Sequence, residues 1–137
     1  GQPRMSPHSL IVARLENAVR AVCQLPTGEV VADHTPPLAV YPGSFNPLHH
    51  GHRALADAAG RRLGVEVHFE LSVTNADKPE LPAEEVARRV AQFAGVAPVW
   101  VTRAAAFEKK ADLFPGAAFV LGFDTAVRLV DAKYYSG

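Results

Sequence analysis

Four short apolar runs, each closed by a turn signal and each separated from the next by a segment of helical spacing, constrain this chain most. They are Leu38-Ala39-Val40-Tyr41, Val65 to Val73, Val99-Trp100-Val101-Thr102 and Ala117 to Leu121. The second alternates cleanly. Val65, Val67, Phe69, Leu71 and Val73 fall on one face, and Glu66, His68, Glu70 and Ser72 on the other, which is strand period. Between the runs lie helical patterns. Leu55, Ala58, Ala59 and Leu63 share one side; Pro82, Glu84 and Glu85 open a second helix with Val86, Val90 and Phe93 as its stripe, closed by Gly95. A short helix over Ala104 to Leu113 stops at Phe114-Pro115-Gly116, and Asp124 can cap a last helix from Thr125 to about Lys133. Upstream, Ser6-Pro7 starts an amphipathic helix through Leu15, Val19 and Val22 to about Leu25, and Val30 to Pro37 reads as a loop.

Alternating strands and helices predict an α/β fold: a Rossmann-like, doubly wound parallel sheet of four to five strands with helices on both faces, plus the N-terminal helix. The expected organisation is a helix and linker over 1–36 and an α/β domain over 37–137. A length of 137 residues suits a single domain, and 48% hydrophobic with 20% charged residues suits a globular one.

Fourteen basic residues balance fourteen acidic ones. That balance gives no hint of broad nucleic-acid or membrane affinity, so neither is expected as a partner, and a homo-oligomer is left open. The apolar stretch from Leu10 to Leu25 carries Arg14, Glu16 and Arg20, too costly for a bilayer centre, so a cytoplasmic location is expected. The single cysteine, Cys23, excludes an intramolecular disulfide and a cysteine metal cluster, and reads as a buried inert thiol.

In open α/β sheets ligands sit beyond the carboxyl ends of the strands. Three suggestive stretches fall there: Gly43 to His52, Thr74 to Lys78, and Gly122 to Asp124. The first, within YPGSFNPLHHGH, holds three of the six histidines. Gly43 allows a sharp turn and Asn46-Pro47 is a plausible helix start, with Asn46 as cap. His49 and His52 are three apart and so share a helix face near an end whose free N–H groups attract anions. Two imidazoles there can donate to phosphate oxygens. The stretch is neither a Gly-x-x-x-x-Gly-Lys-Ser/Thr loop nor a Gly-x-Gly-x-x-Gly fingerprint. It lacks acidic or thiol partners for structural zinc, and Ser44 lacks the context of a serine nucleophile, so no metal site is assigned. Bland readings suffice elsewhere. His34 and His50 are exposed, His68 lies on a polar face, Trp100 is core, Arg88 and Arg89 are solvated, and Lys109 and Lys110 form a surface pair.

GSFNPLHHGH resembles the signature of the nucleotidyltransferase superfamily with the His-x-Gly-His motif, and is most similar to that of nicotinamide or nicotinate mononucleotide adenylyltransferases. SVTNADKPEL and LGFDTAVRL fall where that family places its substrate loop and its Gly-x-Asp segment. The resemblance implies that His49 and His52 contact the phosphates of ATP. It implies that Ser44 and Phe45 form the turn against the nucleotide, Gly51 lies under adenine or ribose, and Lys78 serves a phosphate. Gly122 and Asp124 would reach the ribose. It places the helix start nearer His49 than Pro47. The implied reaction is transfer of AMP from ATP to a phosphate-bearing acceptor, with Mg²⁺ bridging phosphates through water and substrate oxygens. The family's Ser/Thr-rich motif ending in arginine has no match before Gly137, so the domain is expected to lack its C-terminal part. A non-catalytic nucleotide-binding or regulatory domain and a cytidylyltransferase are the alternatives.

Overall fold

The four apolar runs become four neighbouring parallel strands at the centre of a seven-stranded mixed sheet, ordered β2-β1-β5-β4-β3-β6-β7. The computed structural model describes residues 11, 20–74, 77–123 and 126–131. The central strands are β3 (Ala39–Pro42), β4 (His68–Ser72), β5 (Val99–Thr102) and β6 (Ala118–Phe123). Tyr41 pairs with Phe69, Phe69 with Val99, and Ala39 with Ala118. Three helices connect them: α1 (His50–Leu63), α2 (Ala83–Ala91) and α3 (Phe107–Leu113).

Side chains alternate across the sheet, so each strand feeds two cores. Ala39, Tyr41, Phe69, Leu71, Val99 and Val101 join Ala56 and Ala59 of α1 and Val86 and Val90 of α2 on one face. Val40, Trp100 and Phe119 join Cys23 and Ala111 of α3 on the other. Helices therefore cover both faces, as expected. In α1 it is Ala56 that is buried, while Ala58 faces solvent. The helix ends at Gly64, whose φ of 72° is the left-handed conformation that a glycine adopts without strain. Cys23 is buried, and burial together with Glu66 pushes its thiol up to about 12, an unreactive state.

Three expectations change. Ala21–Gln24 forms β1, antiparallel to β5, so no helix reaches Leu25. Val22 fits either period, and the open edge of β5 decides it: Val22 points into one core and Cys23 into the other. Of the rest of the expected N-terminal helix, Ile11 is buried and Arg20 is exposed, and residues 6–10 and 12–19 lie outside the described residues. Val30–Val31 is not loop but a two-residue strand, β2, pairing with β1. Ala126–Asp131 is a strand, β7, running antiparallel along all of β6, where a helix was expected. β7 satisfies the backbone edge that β6 would otherwise expose. The sheet is thus parallel at its centre and antiparallel at both margins.

The face of β4 that reads as polar is buried. His68 accepts a hydrogen bond at Nδ1 from the Trp100 indole at 3.0 Å and lies 3.1 Å from Glu66. His34, half-buried, packs edge-on to Trp100. Glu70 has no exposed surface and accepts from Thr102 at 2.6 Å and from Lys110 at 2.8 and 2.9 Å. Lys110 is therefore the internal partner of a strand carboxylate and not a surface lysine.

Candidate active site

At the end of β3 the chain must leave the sheet and enter α1. The Gly43 N–H continues the ladder by donating to the Glu70 carbonyl at 3.0 Å. A side chain at Gly43 would meet the Phe45 ring at 2.8 Å, so only glycine fits beneath that ring. Phe45 has a φ of 46°, a left-handed conformation rare for an aromatic residue, and its ring is 2% exposed. It is held edge-on by Tyr41, Phe69, Phe93 and His52, with centroids 5.1 to 5.5 Å away. The burial of one large ring offsets a local strain of about 1–3 kcal/mol.

Asn46 is not the helix cap. It sits in the turn, preceding a cis peptide bond to Pro47, and accepts from Arg88 at 2.6 Å. The cap is His49, with ψ of 176° and its Nδ1 accepting from the Gly51 N–H at 3.1 Å. In return, His52 Nδ1 accepts from the His49 N–H at 3.1 Å. This is a capping box in which imidazoles do the work usually given to Ser and Glu. The two rings stack with centroids 3.7 Å apart and planes 24° from parallel. Both Nδ1 atoms accept, so a neutral ring carries its proton on Nε2, and both Nε2–H groups remain for a ligand. Burial, then the neighbouring His49, lowers the pKa of His52, which keeps it neutral at pH 7.

Two cavities flank this turn. One of about 430 Å³ lies between the ends of the parallel neighbours β3 and β6, where the order of strand addition reverses, and is lined by Gly43, Ser44, His49, His52 and Gly122 among others. The second, of about 580 Å³, lies over β4 and is lined by Thr74, Lys78, Arg89 and Lys110, with Gly43 and Ser44 as the shared wall. Neither has a carboxylate among its described lining residues. Those residues therefore do not form a cage for Mg²⁺.

Of the sequence-predicted residues, Gly43, Ser44, Phe45, His49, His52 and Gly122 all meet at the smaller cavity. Lys78 is exposed and lies at the larger one. Gly51 lines neither; a Cβ there would come 2.9 Å from the His49 ring, so its bareness makes room for the stack. Asp124 lies outside the described residues. Arg89, read from sequence as solvated, is instead largely enclosed, with its side chain 12% exposed. It pairs with Glu85 at 2.8 Å and donates to the Ser44 carbonyl at 3.3 Å. Glu85, held between Arg88 and Arg89, titrates at about 2. Its spacing of four from Arg89 was a readable signal, but the reach to Ser44 was not.

Two outcomes follow. Gly51→Ala gains about 0.5–1 kcal/mol of helix propensity but displaces the His49 ring that caps the helix, a loss of similar size, so stability should change little. It should nevertheless weaken nucleotide binding, since the His49 ring must move. Thermal melts and ATP titrations on one sample separate the two effects, and unchanged binding would refute this role for Gly51. The second outcome concerns pH. A histidine whose folded pKa lies below its unfolded value of 6.5 adds stability that is complete above 6.5 and is lost as pH falls through the folded value. His52 and the buried His68 act in the same direction. Urea unfolding should show stability falling below pH 6.5, and His52→Gln, which keeps the box acceptor but does not titrate, should flatten that fall.

Comparison with known proteins follows the same geometry. The profile of the cytidylyltransferase-like family matches residues 40–132, from β3 through β7. A Schizosaccharomyces pombe protein named "Putative nicotinamide mononucleotide adenylyltransferase" is 30% identical over 113 residues, covering 72% of this chain and 44% of the relative. The chain thus spans less than half the length of that protein. No solved structure gives a significant match. Among the described residues no helix is long and apolar enough to cross a membrane. With the match running from β3 across the turn and α1 to β7, the chain belongs to the cytidylyltransferase-like family, a nucleotidyltransferase type of domain.

Proposed function

We propose that the chain transfers AMP from ATP to a phosphate-bearing acceptor, nicotinamide or nicotinate mononucleotide, and releases pyrophosphate. The observation that carries this reading is the stacked His49–His52 pair. Its two Nδ1 atoms are committed to the backbone and its two Nε2–H donors are left beside the N-terminus of a 14-residue helix. Such an array complements oxygens that gain negative charge in a transition state. ATP would occupy the cavity between β3 and β6, with its phosphates on the imidazoles and Ser44.

The acceptor would occupy the larger cavity, whose lining includes the exposed Lys78 and also Arg89, the latter paired with Glu85. An acceptor phosphate oxygen attacks the α-phosphorus, a new P–O bond forms, and the bond from the α-phosphorus to the bridging oxygen breaks to give pyrophosphate. No residue becomes covalently attached. Holding two anions on either side of the Gly43–Ser44 wall supplies the proximity term. The 30% identity with a protein named for nicotinamide mononucleotide supports the acceptor class.

Incubating the full-length protein with ATP, Mg²⁺ and each mononucleotide should yield pyrophosphate and a dinucleotide. Turnover with CTP in preference to ATP would reassign the donor. ATP binding without pyrophosphate from any acceptor would replace this reading with a non-catalytic nucleotide-binding domain.

A further inference from the structure

The turn that carries the two histidines does not hold itself. Its carbonyls and N–H groups have left the sheet and have not yet entered the helix, and α2 supplies their partners. Arg89 donates to the Ser44 carbonyl at 3.3 Å, and Arg88 donates to the Asn46 side chain at 2.6 Å. Gln92, the C-cap of α2, does most. Its Nε2 donates to the Phe45 carbonyl at 2.8 Å, and its Oε1 accepts from the Leu48 N–H at 2.8 Å. One side-chain amide thus brackets the left-handed residue on one side and the entry to the His49 cap on the other. The bracket needs a donor and an acceptor on one planar group, which glutamine offers and glutamate at neutral pH does not.

We infer that Gln92 is a positioning residue: it fixes the bend at Phe45 so that the His49 and His52 rings stack with their Nε2–H groups presented to the cavity. Its link to nucleotide affinity rests on the function proposed above; its effect on the rings does not.

The test uses nitrogen-15 NMR of the imidazoles in the nucleotide-free protein, with ATP titration measured separately. In the parent, His49 and His52 should both show the Nε2–H tautomer. His68, held by the Trp100 indole, whose ring lies in the core on the sheet face opposite α2, is an internal control for folding. In Gln92→Leu, His49 and His52 should become tautomer mixtures while His68 is unchanged, and ATP affinity should fall about tenfold to a hundredfold. Gln92→Glu, which keeps the acceptor for Leu48 but loses the donor to Phe45, should fall between. Unchanged His49 and His52 tautomers in Gln92→Leu would overturn the inference, whatever ATP does. If Gln92→Leu also disturbs His68, Gln92→Glu decides by the same criterion. If both disturb it, Gln92 is a general packing residue and the inference falls. A parent in which both rings show the Nε2–H tautomer but which does not bind ATP removes the nucleotide reading and leaves the positioning role intact.

Discussion

Replacing His52 with alanine is expected to reduce turnover by about a hundredfold to a thousandfold, the usual cost of removing one preorganised donor to a developing oxyanion. The variant loses more than a donor. His52 Nδ1 also caps the His49 N–H, and the His52 ring stacks on that of His49. Stability should therefore drop by about 1 kcal/mol, the cost of one helix cap. His52→Gln distinguishes the two losses, because glutamine at this position can still accept from the His49 N–H. It should recover most of the stability and little of the turnover. If His52→Ala retained parental kinetics, the imidazole pair would have no part in the chemistry.

The largest effect on stability is expected from Lys110→Met. Glu70 is wholly inside the protein and Lys110 is 13% exposed, so removing the lysine strands a buried carboxylate. Breaking such a pair from one side costs about 3–5 kcal/mol. The carboxylate keeps its bond from Thr102, whose hydroxyl in turn accepts from the Ala104 N–H at 3.1 Å. Lys110 also donates to the Ala104 carbonyl at 2.8 Å, so the loop after β5 loses one of its ties. Combining Lys110→Met with Glu70→Met should restore much of the loss, because an apolar pair of similar volume carries no desolvation cost. The orphaned Thr102 hydroxyl limits that recovery by about 1–3 kcal/mol. Urea unfolding of the parent, both single variants and the double variant measures the coupling. A Lys110→Met midpoint equal to the parent's would show that the pair does not matter to the fold.

The fold was legible where a pattern was both local and long. Val67, Phe69, Leu71 and Val73 lie in one core as their alternation requires, and Val86, Val90 and Phe93 face it from α2 and its C-terminal turn. It was not legible where the deciding partner was remote. Val22 satisfies two periods, and the edge of β5 chose between them. Glu70 and His68 look solvent-facing in isolation; only Lys110, forty residues on, and Trp100, thirty-two residues on, turn that face into an interior. The candidate site shows the same division. His49, Gly51 and His52 act on each other within one turn, so their spacing revealed them. Gln92 is 44 and 47 residues from the backbone groups it binds, and nothing in the spacing of a helix C-terminus announces that reach.

The place of β3 in the sheet has a mechanical consequence. It is stitched to β4 on one side and β6 on the other, so the stem of the histidine turn cannot shift without tearing two ladders at once. Because α2 is itself tied to that turn, any give needed to admit or discharge cargo must come from elsewhere in the crevice, such as the segment carrying Lys78. The floor stays put, as an anvil does while the hammer moves.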